Sequence, residues 1–94
     1  MGSAETLNRV FRITNKLGFH ARAAAVFVRL SNKFSADIKL IKDGYEVNGK
    51  SILGVLSLAA IQGSEVNVVA TGEDAEEALC EVGKLIESGF GEEI

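Results

Sequence analysis

The apolar residues of this chain change period several times, and that succession limits the fold more than any single motif. Apolar and polar residues alternate through Val10, Phe11, Arg12, Ile13 and Thr14, and residues 7–14 are rich in β-branched and aromatic side chains, the pattern of a half-buried strand. From Ala21 the apolar positions become Ala23, Phe27, Leu30 and Phe34, which stack on one face of a helix. Alternation returns at Ala36, Ile38 and Leu40, and Asp43-Gly44 supplies the chemistry of a tight hairpin turn before a third strand at Tyr45–Asn48. Ser51 is a suitable N-cap for a short helix running to about residue 60, closed by Gln62-Gly63. Val66, Val68 and Ala70 mark a fourth strand that ends at Gly72. A last helix over about 74–88 buries Ala75, Leu79, Val82 and Ile86, and its acidic start (Glu73, Asp74, Glu76, Glu77) suits the positive end of a helix dipole and reads as a solvated face.

The order βαββαβα, with a hairpin between its second and third strands, predicts an α+β fold: one four-stranded antiparallel sheet with three helices on one side. At 94 residues a single domain over 1–94 is the expectation, and 47% hydrophobic with 24% charged residues is the composition of a globular core. The chain has no proline, which excludes proline-rich linkers. Its longest apolar run, residues 23–28, is far short of the roughly 18 residues a membrane span needs. The start, Met-Gly-Ser-Ala-Glu-Thr, lacks the basic and apolar stretch of a secretory leader, so a cytoplasmic protein with no membrane insertion is expected.

One cysteine and one histidine leave no internal disulfide and no zinc cluster, and no cofactor or metal is implied. Cys80, beside Leu79 on the polar side of the last helix and without a basic neighbour, reads as an inert thiol. A net charge of −3 argues against nucleic acid as the main partner. That figure hides an asymmetry: residues 1–50 hold nine Lys/Arg against four Asp/Glu, and residues 51–94 hold one against nine. The first half is therefore suited to anions and acidic partners.

Gly18-Phe19-His20-Ala21-Arg22 is the strongest chemical feature, because it puts the single histidine at the start of a helix. Helix N-termini carry free N–H groups and a partial positive charge, so an anion attached to His20 would meet ready donors. The same partial charge disfavours a further positive charge on the ring and keeps a ring nitrogen available as a nucleophile. Arg22 can reach back to a phosphate or carboxylate, and Gly18 lets the loop approach closely. Taken alone, a histidine here is more often a helix cap or a surface residue than a reacting group. No acid or base lies near it in sequence, so a hydrolase triad has no support, whereas transfer of a group on and off His20 needs fewer parts.

Gly44-Tyr-Glu-Val-Asn-Gly49-Lys50-Ser51 matches the phosphate-loop pattern G-x-x-x-x-G-K-S in form. Tyr45–Asn48 alternates like a strand, however, and only one strand follows, too little for a nucleotide-hydrolysing sheet. Ser51 is first an N-cap, and a phosphate placed there would act by blocking a partner. The helix after it is apolar on nearly every side. Val55, Leu58 and Ala59 are expected to point inward, leaving Ile52, Leu53 and Leu56 either as a docking patch or beneath covering loops.

Three stretches together resemble the histidine-containing phosphocarrier protein (HPr) family of the bacterial phosphotransferase system: Asn15-Lys-Leu-Gly-Phe-His-Ala-Arg22, Val47-Asn-Gly-Lys-Ser-Ile-Leu-Gly-Val55 and Leu58-Ala-Ala-Ile-Gln-Gly-Ser64. The resemblance runs from Arg9 to about Glu92 and implies an open-faced β-sandwich, consistent with the βαββαβα order. It implies that His20 accepts phosphate on Nδ1 from phosphorylated Enzyme I, itself charged by phosphoenolpyruvate, and passes it to an Enzyme IIA, with Arg22 assisting. It further implies regulatory phosphorylation of Ser51 by a kinase/phosphorylase, and partner contact through Phe19, Ala21, Ile52, Leu53 and Leu56. Such a carrier is a monomer that turns over no substrate alone. The family motif usually continues His-Ala-Arg-Pro, and Ala23 stands here instead, a good helix former without the stiffening of proline. This variant is also similar to nitrogen-branch members, so a nitrogen-branch paralogue, or a purely regulatory binding module using the Ile52-Leu53-Leu56 patch, stands as the alternative.

Overall fold

The computed structural model describes residues 5–92, so the polar start at residues 1–4 lies outside the described residues. Among the described residues the elements are β1 (Thr6–Arg12), α1 (Ala21–Ser31), β2 (Asp37–Lys42), β3 (Tyr45–Asn48), α2 (Ile52–Ser57), β4 (Glu65–Thr71) and α3 (Ala75–Glu87), followed by a 3₁₀ turn at Gly89–Gly91. The order matches the sequence reading. The strands form one antiparallel sheet ordered β1-β4-β2-β3, with Val10 opposite Asn67 and Ile38 opposite Ala70.

Alternation gives the sheet its two faces. Ile38 and Leu40 of β2, and Val66, Val68 and Ala70 of β4, point into the core against Phe27 of α1 and Val82 and Ile86 of α3. On β1 only Phe11 is fully buried, and Val10 on the opposite face is 55% exposed, which is the open face of the sandwich. The β2–β3 turn is made by Asp43 and Gly44, both at positive φ (52° and 80°), as an Asp-Gly hairpin requires. No helix among the described residues is long and apolar enough to cross a membrane.

Three boundaries differ from the sequence reading. β1 ends at Arg12, after which Ile13 pairs instead with the turn before β4, its N–H donating to Ser64 O (2.9 Å) and its C=O accepting from Gly63 N (2.8 Å). Phe34 is not on α1. The Asn32 side-chain amide takes the Val28 carbonyl (2.9 Å), the helix closes at Ser31, and Phe34 packs on the core from the turn beyond. α2 stops at Ser57 rather than near residue 60, because Leu58 and Ala59 donate back to Val55 and Leu56 in tightened turns and Ala59 itself takes φ 52°. Consequently Ala59 is exposed rather than inward, and Ala60 is buried in its place. α1 begins at Ala21 although Ala23 stands in its first turn in place of proline, and Ala23 is fully buried.

Candidate functional site

Residues 13–19 lie on a second loop, residues 60–64. Besides the Ile13 pairing, Gln62 Nε2 donates to Thr14 O (3.0 Å) and Phe19 N donates to Ala60 O (3.0 Å). The Phe19 ring anchors this loop. It meets Phe27 edge-on at 5.4 Å and Phe90 at 4.9 Å between centroids. Phe19 was expected among the partner contacts, but it is a core residue here, because its ring is the wedge that joins α1 to the chain end.

His20 follows as the N-cap residue of α1 in extended conformation, and its side chain makes no capping hydrogen bond. The imidazole therefore does something other than cap. Its Nε2 contacts Glu92 Oε2, while Nδ1 has no protein partner among the described residues. The other Glu92 oxygen accepts from Asn15 Nδ2 (3.0 Å), and the same amide nitrogen donates to Gly18 O (2.8 Å). Both partners of that nitrogen are acceptors, which fixes the orientation of the fully buried Asn15 amide. The hydrogen bond from His20, followed by that from Asn15, holds the Glu92 carboxyl below the usual carboxylate range.

Lys16, Leu17, His20, Ala21, Arg22 and Glu92 line an open cleft of about 720 Å³. Arg22 is exposed on its rim, α1 has no acidic residue in its first turn, and the carboxylate lining the cleft is that of Glu92. Ala21 is exposed. Glu92 and Asn15 were missed by sequence reasoning. Glu92 is 72 residues from His20, and no local signal joins them.

Ser51 caps α2, its Oγ accepting from Gly54 N (3.1 Å). Ile52 and Leu53 are exposed (44% and 79%), but Leu56 is half-buried against the core, so the apolar patch is narrower than the helix pattern implied. Leu17 and Ile61, which the sequence reading did not single out, add exposed apolar surface on the two adjoining loops. The phosphate-loop match does not form a loop. Tyr45–Asn48 is strand β3, and Lys50 Nζ donates to Phe34 O (2.7 Å) rather than standing free.

The family model described as "PTS HPr component phosphorylation site" matches residues 7–88. The chain is 44% identical over 87 residues to a phosphocarrier protein HPr of Xylella fastidiosa, covering 93% of this chain and 98% of that one. It is 53% identical over 64 residues to the HPr-like protein Crh of Bacillus subtilis, covering 68% of this chain and 75% of that one. A crystal structure of HPr-C-His from Thermoanaerobacter tengcongensis superposes with a TM-score of 0.90 at 48% identity, over 94% of this chain and 99% of that one. These likenesses favour the phosphocarrier over the nitrogen-branch and purely regulatory alternatives. On this sheet, this histidine-bearing helix start and these relatives, the chain belongs to the HPr family of phosphocarriers of the phosphotransferase system.

Proposed function

We propose that His20 carries the phosphoryl group on Nδ1, accepting it in the cytoplasm from phosphorylated Enzyme I and giving it to an Enzyme IIA. The observation that carries this reading is the state of the imidazole: it starts α1 without capping it, Nε2 is occupied by Glu92, and Nδ1 is left as the unpaired ring nitrogen. The free N–H groups of the first turn and the Arg22 guanidinium supply positive potential for the phosphate on that histidine. The Ile52-Leu53 surface and the basic first half of the chain suit an acidic partner with an apolar anchor. Ser51 acts as a second, regulatory phosphorylation site beside that surface, where added charge blocks docking without unfolding the domain.

Intact mass after incubation with phosphoenolpyruvate and a catalytic amount of Enzyme I tests the reading. One added phosphoryl group, lost on brief acidification and absent from His20→Ala, is the expected result. No adduct with a demonstrably active Enzyme I, or an adduct that persists in His20→Ala, overturns it.

A further inference from the structure

We infer that Glu92 is the positioning residue of the phosphocarrier site: gripped by Asn15, its carboxylate keeps the His20 proton on Nε2 and so presents Nδ1 as the lone pair that takes the phosphoryl group. This rests on His20 being the carrier, and goes beyond it by assigning a residue past the end of the matched family region at 7–88.

The grip is built from both ends of the chain. Phe90, at φ 59° in the turn after α3, packs against Phe19 with the rings tilted at 45° and so returns this turn to the start of α1. Asn15, fully buried, spends its amide nitrogen on the Gly18 carbonyl and on Glu92 Oε1, so the loop that carries His20 and the carboxylate that orients it are held by one side chain. Glu92 Oε2 is then placed on His20 Nε2. An ionised carboxylate only accepts hydrogen bonds, so the ring nitrogen facing it must be the N–H, and in a neutral imidazole the other nitrogen is the free lone pair.

The transfer then balances without a proton changing place. The Nδ1 lone pair attacks phosphorus, the N–P bond of the donor's phosphohistidine breaks, and its electron pair returns to the donor ring. His20 becomes an N-phosphoimidazolium with the proton still on Nε2, and the adjacent Glu92 carboxylate offsets the new ring charge. On the way out a nucleophile of the acceptor protein bonds to phosphorus as the Nδ1–P bond breaks, the electron pair returns to Nδ1, and the ring is again the neutral Nε2–H form, ready for another cycle. Lys16 and Arg22 are the other charged groups lining the cleft, and neither accepts a proton from Nε2.

The test is the ring tautomer of His20, read by long-range ¹H–¹⁵N correlation of histidine-labelled full-length protein at a pH where the ring is neutral, together with the initial rate of phosphoryl acceptance. Wild type is expected as the Nε2–H tautomer. In Glu92→Gln the amide oxygen accepts from Asn15, which turns the NH₂ toward Nε2, so the proton moves to Nδ1 and acceptance slows by about tenfold or more. Glu92→Asp restores the Nε2–H tautomer and part of the rate. An Nε2–H tautomer that persists in Glu92→Gln, or acceptance within about twofold of wild type while the tautomer inverts, overturns the inference. Phosphate retained by His20→Ala would instead overturn the carrier reading, so the two failures are told apart.

Discussion

Gly18 lies against the backbone of Ala60: a Cβ at position 18 would run into the Ala60 carbonyl oxygen and stand 2.9 Å from Ile61 Cα, and Gly18 holds φ 61°. That carbonyl also accepts the Phe19 N–H, so the loop presenting His20 is seated through this contact. Gly18→Ala combines left-handed strain with a collision against backbone that cannot swing away. It should lower unfolding free energy by about 2–4 kcal/mol, read from urea denaturation, and slow phosphoryl acceptance even where circular dichroism reports a folded chain. An unchanged urea midpoint would refute this account of the loop.

Ala59 is the opposite case. It ends α2 at φ 52° and is exposed, so an alanine bears left-handed strain with no packing in return. Ala59→Gly relieves about 1–2 kcal/mol of that strain and returns about 0.4–1 kcal/mol to unfolded-state freedom, for a net gain of about 0.5–1 kcal/mol. The expected record is a higher urea midpoint at constant slope.

The cap that Ser51 provides to α2 is separable from the regulatory role proposed for it. Removing its Oγ leaves the Gly54 N–H without its cap, and Ser51→Ala should cost about 1 kcal/mol, while phosphate acceptance at His20 stays intact. Ser51→Asp keeps a capping oxygen and adds charge, so stability is retained while affinity for Enzyme I, measured by titration calorimetry, falls. Equal affinity for both variants would remove Ser51 from the docking surface.

Asp74 ties the start of α3 to the turn before β2. Its carboxylate accepts from Ser35 N (2.9 Å) and Ala36 N (2.8 Å), and these bonds, Ser35 first, hold it below its ordinary value of 3.8. Because the folded pKa is depressed, the ionised group contributes stability above the unfolded value and loses it as pH falls through the folded one. Asp74→Asn, whose amide can accept only one of the two N–H groups, is expected to have a lower urea midpoint than wild type at pH 7. The gap should close as pH drops below the ordinary carboxylate value. A gap independent of pH would mean the bond geometry, not the charge, matters at this position.

Much of this was legible in the residues themselves. Tyr45–Asn48 matched the third strand because alternation and an Asp-Gly turn bound it on local grounds, and His20 stood out because it starts a helix. Helix ends were less legible. Asn32 closing α1 on Val28, and Ala59 taking a conformation that usually calls for glycine, depend on which carbonyls and which space remain once the sheet is covered. The inward turn of Phe19 and the half-burial of Leu56 could not be told from exposed positions by period alone, since a short apolar helix or loop has more apolar faces than a core accepts.

Local patterning determined the order of strands and helices, the hairpin and the placement of His20 at a helix start, because each of these is set within a few residues by side-chain period and turn chemistry. Tertiary structure alone decided what surrounds that histidine. Glu92 reaches His20 across 72 positions only because Phe90 finds Phe19 and the buried Asn15 holds the Glu92 carboxylate, and a contact made by closing the chain on itself leaves no mark in the spacing of neighbouring residues.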